Sequence, residues 1–151
     1  MSDTSPLRAL ESLGLLDLLT KLYGQVLIPP AVEAELSKGN AFPKLPWLKV
    51  VAPGDRARVE ELQARLGPGE SEAIALALEL GAEVLIDERA GRSAAVQLGL
   101  ETTGVLGVLL EAKSRGHVGE VRPLIEALIA RIQFRISTAV LDQTLRAAGE
   151  L

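Results

Sequence analysis

Between Gly67 and Arg92 the chain runs without interruption through a loop, a helix, a glycine turn, a buried strand and a second helix start. Pro68 and Gly69 form the break, and Ala73, Ile74, Ala77, Leu78 and Leu80 recur at helical spacing as one apolar stripe. Gly81 stands where a helix commonly ends. Val84, Leu85 and Ile86 make an apolar run too short for a helix, and Asp87 stops it. A helix feeding straight into an all-apolar strand restricts the fold to those with parallel strands and crossover helices. In open sheets of that kind ligands bind outside the carboxyl ends of the strands, and Asp87 falls there. At about 100° per residue, Glu70 lines up with Ala73, Ile74 and Ala77, while Glu72 falls on the far side with Glu79. Glu70 is therefore expected to face the protein and Glu72 mostly water. An acid at Glu70 is equally what the helix dipole favours with no chemistry attached.

The rest of the chain repeats the alternation. Ser5-Pro6 fits a helix cap followed by Pro at the first helical position, and leucines continue at helical spacing to Leu22, with Gly14 splitting the segment in two. Val26-Leu27-Ile28 reads as a buried strand ended by Pro29-Pro30. A helix over 31–37 carries Val32 and Leu36 on one side with Glu33 and Glu35 beside them. Residues 38–47 read as a loop, Trp47 to Ala52 as a strand, and Asp55 as the cap of a charged helix to Leu66. Further helices are expected over 91–98, 104–115, 123–132 and 138–148, with a short strand at Leu100 to Thr103. Nearly apolar strands between helices predict a parallel sheet covered on both faces, in one domain spanning 1–151.

Composition excludes several chemistries. With no cysteine there are no disulfides, thiolate metal sites or cysteine nucleophiles, and one histidine rules out multi-histidine zinc sites. No apolar run approaches the roughly 20 residues that cross a bilayer, so a soluble, cytoplasmic protein without membrane contact is expected. The net charge of −4 gives no global attraction to nucleic acid, leaving that task to local basic patches.

Acids next to a strand end or helix start recur at Asp3, Glu35, Glu70 and Asp87. Carboxylates that converge repel one another and persist only when protonated or neutralised by a cation. With oxygen donors and no His or Cys, that cation is Mg²⁺ or Mn²⁺. Such ions activate water for in-line attack on a phosphodiester.

Ser2-Asp3-Thr4-Ser5-Pro6-Leu7, Ile28-Pro29-Pro30-Ala31-Val32 with Glu35, Gly69-Glu70-Ser71-Glu72-Ala73-Ile74-Ala75-Leu76-Ala77 and Leu85-Ile86-Asp87-Glu88 together resemble the PIN-domain nucleases. The run from Thr103 to Lys113 is similar to a little-characterised prokaryotic subfamily of them. The resemblance implies a three-layer α/β/α sandwich with a mainly parallel sheet and an acidic pocket at the strand C-termini. It implies a metal-dependent ribonuclease, often the toxin of a VapBC-type toxin–antitoxin pair, with RNA, a cognate antitoxin protein and a second copy of the chain as partners. Position by position, Asp3 matches the first-strand aspartate, Glu35 the early helix glutamate and Asp87 the aspartate after the central strand. Glu70 is the expected fourth acid, with Glu72 in reserve. Thr4 and Ser5 are placed to meet a phosphate, although both are ordinary helix-cap residues.

One departure stands out: only Met1 and Ser2 precede Asp3, against the five to six residues, roughly, of a typical strand. Either the strand begins upstream, or it is vestigial and Asp3 is poorly anchored. Arg89 and Arg92 follow Asp87 at the pocket rim, able to hold RNA phosphates or to pair with Glu88. His117 fits an exposed loop, Lys113 and Arg115 a helix C-terminus, and Trp47 a packing position. Two other functions share the acid pattern. One is a catalytically weak PIN-fold module that binds RNA or a protein. The other is a receiver-type phosphorylation domain, which the sequence disfavours because paired acids after the first strand and a late lysine are missing.

Overall fold

The computed structural model describes residues 1–39 and 41–151, so that of the expected loop 38–47 residue 40 lies outside the described residues. The described elements are α1 (Thr4–Ser12), α2 (Asp17–Tyr23), β1 (Val26–Ile28), α3 (Pro30–Leu36), β2 (Leu48–Val50), α4 (Arg56–Gln63) and α5 (Pro68–Leu80). They continue with β3 (Val84–Leu85), α6 (Arg89–Gln97), β4 (Thr102–Thr103), α7 (Val105–Ser114), α8 (Arg122–Ile132) and α9 (Thr138–Ala147). The strands pair in parallel, β1 with β2 and β3 with β4, as expected from their apolar runs. β1 has the expected length, whereas β2, β3 and β4 are each shorter than the expected runs 47–52, 84–86 and 100–103.

The first three residues join the two pairs. Ser2 N–H donates to Leu27 O (3.0 Å), Leu85 N–H to Met1 O (2.7 Å) and Asp3 N–H to Leu85 O (2.9 Å). Ser2 bridges Leu85 in parallel sense, and the Met1 amino group donates to Glu83 O at 3.0 Å. A two-residue strand thus occupies the centre, in the order β2–β1–Met1/Ser2–β3–β4. Of the two alternatives, poor anchoring of Asp3 does not hold: it is only 4% exposed, with Ser2 fully buried beside it. Its N–H is bonded to β3 and the preceding Ser2 N–H to β1, so the segment is held from both sides whatever its length.

The core divides across this sheet. Leu85 packs into a cluster with α1, α2, β1, α3 and α7 to α9, while Val84 and Ile86 pack into a second cluster with α4, α5 and α6. That is the strand alternation of side chains between two faces. Helix α1 starts two residues earlier than expected, with Asp3 instead of Ser5 in the cap position and Pro6 inside the first turn. Asp55 caps α4 as expected, its carboxylate accepting from Arg58 N–H at 3.0 Å. Among the described residues no helix is long and apolar enough to cross a membrane.

The apolar stripe expected on α5 is not what the structure shows. Residues 71 to 77 are buried all round the helix, and Leu80, placed on the stripe, is 51% exposed. Helix α5 is enclosed by α3, α4, α6 and β3, so burial follows its position along the axis rather than one face.

Candidate active site

The N-terminal segment, α3, α5 and the turn after β3 bring acids to the C-terminal end of the sheet. Asp3 lies at its centre. Burial pushes its carboxyl up to about 7, against the nearby Thr4 N–H, which stands outside good hydrogen-bond geometry. The charges of Glu70, Glu35 and Glu88 raise it further. Burial also raises Glu70, with repulsion from Glu88 and Glu35 added and the Gly67 N–H opposing. Asp87 is raised by burial against its hydrogen bond from Val105 N–H (2.9 Å) and the Arg92 charge. Oxygens Glu70 Oε2 and Asp87 Oδ2 are buried with no hydrogen-bond partner. Carboxylates this costly to keep ionised are what a cation-binding or proton-transferring site requires.

Four acids rest against the first turn of a neighbouring helix. Asp87 accepts from the first residue of α7, and Glu72 accepts from Ala31 N–H (2.9 Å) at the start of α3. Glu35 lies against Gly69 at the start of α5, where an added Cβ would come within 2.7 Å of Oε1. Glu70 Oε2 lies against Gly91 in the first turn of α6. Helix N-termini favour the negative charge, and the glycines allow carboxylate and backbone to approach closely. Gly91→Ala would drive the new methyl into Glu70 and the fully buried Ile86. We expect it to cost about 1–3 kcal/mol by overpacking in urea denaturation, with Gly99→Ala, beside open space but at φ +81°, separating steric from backbone effects.

Glu72 is corrected by the structure. Expected to face water and to serve as a reserve metal ligand, it is 8% exposed and its carboxylate is committed. One oxygen takes Ala31 N–H and the other pairs with Arg56 at 3.0 Å. The enclosure of α5 leaves no solvent side for it to reach. Glu72→Ala, stranding Ala31 N–H, should destabilise by about 2 kcal/mol; Arg56→Ala, removing a half-exposed partner, should cost under about 1 kcal/mol. Equal losses in chemical denaturation would contradict this division.

The other expected residues fall as follows. Thr4 donates its hydroxyl hydrogen to Glu35 Oε2, so it orients an acid instead of awaiting a phosphate. Arg89 and Arg92 are exposed near Asp87, and neither forms an ion pair with Glu88 among the described residues. Glu88, passed over in the sequence as a neighbour of Asp87, acts electrostatically on both Asp3 and Glu70. The acid-acid-basic run Asp87-Glu88-Arg89 was its only local signal. Arg135, from a segment with no acidic motif, lines two cavities together with Asp87.

Among the described residues no three metal-binding side chains are close enough to enclose an ion as they stand. The donor chemistry nevertheless fits a hard divalent cation: the donors are all carboxylate oxygens, two of them buried without a partner, and the charges repel one another. Asp3, Glu35, Glu70 and Asp87 are the side chains that would hold it.

A family model described as DUF3368, PIN domain, matches residues 1–150. No curated protein and no solved structure matches the chain. PIN domains are generally nucleases that use divalent metals. A match over 150 of the 151 residues, with the acids drawn to one end of a parallel sheet, leads to one conclusion: the chain belongs to the PIN-domain family.

Proposed function

We propose that this protein is a Mg²⁺- or Mn²⁺-dependent endoribonuclease that hydrolyses RNA phosphodiester bonds. The observation that carries the proposal is the gathering of pKa-raised Asp3, Glu70 and Asp87, the first buried and the other two half-buried, at the sheet's C-terminal end, with carboxylate oxygens of Glu70 and Asp87 left unpartnered. When bound, the divalent ion supplies activation of water and stabilisation of the leaving oxygen. Asp3 and Glu70 would bind the ion, and the burial of Asp3 keeps bulk water from screening it. Glu35 is held in orientation by Thr4. Asp87 is fixed by Val105 N–H, and Arg92 beside it offers a cation to a substrate phosphate. No side chain need act as a nucleophile.

The division of the core by β3 supports a three-layer α/β/α sandwich, and the spread of elements supports one domain over 1–151. Service as a VapBC-type toxin with a cognate antitoxin, a homodimeric state and a cytoplasmic location belong to the same proposal, resting on family membership. The alternative is a catalytically weak module that binds RNA or a protein partner. It is favoured by the separation of the acids and the net charge of −4.

The deciding experiment is cleavage of a mixed RNA pool with Mn²⁺, with EDTA, and by Asp87→Asn. Cleavage that needs the metal and disappears in Asp87→Asn supports the nuclease. Activity surviving both conditions places the chemistry elsewhere. No cleavage, with RNA still bound, favours the module.

A further inference from the structure

Helix α8 ends at Gln133, whose φ of 50° is the one positive value outside glycine among the described residues. A side-chain-bearing residue in the left-handed region is uncommon and costs roughly 1 kcal/mol or more. Phe134 N–H closes the turn on Leu128 O at 3.2 Å. Residues 133 to 137 then run without helix or strand past the cavities that Asp87 lines, before Ser137 caps α9.

This segment lines two depressions that share Asp87. One is a groove of about 1240 Å³ that Glu88 and Arg89 also line. The other is a hollow of about 440 Å³ reaching Arg92 and Gly104. Arg135 lines both, and among the described residues it is the one cation that does. It is exposed, and neither it nor Arg89 forms an ion pair or hydrogen bond among the described residues. Several other guanidiniums are committed: Arg8, Arg56, Arg58 and Arg115 pair with acids, and Arg131 bonds a carbonyl. Phe134 and Ile136 flank Arg135 half-buried, and Val140 lines the same groove.

Resting on the nuclease proposal for this site, we infer that Arg135 binds a backbone phosphate of single-stranded RNA beside the scissile bond, with Arg89 as its counterpart in the groove. A guanidinium offers the planar fork that phosphate oxygens accept. Two such forks lining one groove with Asp87 hold a strand beside the acids in a chain whose net charge repels RNA. The apolar surface of Phe134, Ile136 and Val140 beside Arg135 suits unpaired bases, whose faces a duplex conceals.

The test is binding of one fluorescent single-stranded RNA, and of the same RNA as a duplex, by fluorescence anisotropy over a salt series in EDTA. The proteins are wild type, Arg135→Ala, Arg135→Lys, and Arg65→Ala as an exposed arginine lining neither cavity. Arg135→Ala should weaken single-strand binding about tenfold and reduce the salt slope by about one. Arg135→Lys should recover part of the affinity, and Arg65→Ala should match wild type. In the Mn²⁺ cleavage assay Arg135→Ala should raise KM more than it lowers kcat. Unchanged binding in Arg135→Ala, an equal loss in Arg65→Ala, stronger binding of the duplex, or no binding at all would overturn the assignment. Arg135-dependent binding without cleavage by any protein would sink the nuclease proposal and leave this one standing.

Discussion

Asp3→Asn is expected to give a protein that melts higher than the parent at pH 8 and has lost metal-dependent RNA cleavage by about 100-fold or more. The two effects share one origin. Asp3 is 4% exposed, faces Glu70, Glu35 and Glu88, and has its carboxyl raised to about 7. An acid whose pKa is higher in the folded state binds more protons folded than unfolded. Its penalty is absent below the unfolded value of 3.8, grows as pH rises, and is complete once pH passes about 7. At about 1.4 kcal/mol per pH unit the ceiling is on the order of a few kcal/mol. Melting temperature in EDTA should therefore fall between pH 5 and pH 8, and Mn²⁺ should restore it at pH 8 as a native-state ligand does. In Asp3→Asn the fall should be shallower, because Glu70 and Asp87 still push the same way, and the Mn²⁺ gain should shrink. Thermal melts at the two pH values, with and without Mn²⁺, check this. A variant less stable than the parent at pH 8 would show that Asp3 is held by favourable contacts rather than against repulsion.

The parts of the molecule legible in the sequence are those decided by neighbours along the chain. The run Val84-Leu85-Ile86 between Gly81 and Asp87 marks a buried strand because nothing but a sheet hides three consecutive apolar residues in so short a span. Asp55 marks a helix start because its carboxylate reaches an N–H three residues away. Glu72 was not legible: a helical wheel assumes one wet side, and α5 has none along residues 71 to 77. Its partners, Ala31 and Arg56, come from helices that only the tertiary fold brings near. Arg135 was hidden for the same reason, reaching Asp87 from 48 residues away along the chain through a turn at Gln133 that no glycine announces. Asp3, Glu35, Glu70 and Asp87 stood out as types at expected places. Which of them repel one another, and that Glu88 joins them, depends on side-chain packing at the sheet end.

Ser2→Pro should be the most damaging single change in the first ten residues, and it separates strand length from strand anchoring. Ser2 N–H donates to Leu27 O, the bond from this segment to β1, while Met1 O and Asp3 N–H hold it to β3. Proline has no N–H to give and is excluded from central strands. It would leave a β1 carbonyl without its donor and press its ring into a fully buried position. The expected loss is about 3 kcal/mol in chemical denaturation, with the Mn²⁺-dependent rise in melting temperature lost as well, since Asp3 follows Ser2 out of place. Ser2→Ala keeps the ladder bond and gives up the side-chain bond to Asp3 O at 2.9 Å; about 1 kcal/mol is expected. If Ser2→Pro were as mild as Ser2→Ala, the two strand pairs would have to be held by their helices alone. If instead the proline variant loses stability and the metal response together, two residues suffice as a central strand, because a strand's middle position is defined by bonds on both edges and not by its length.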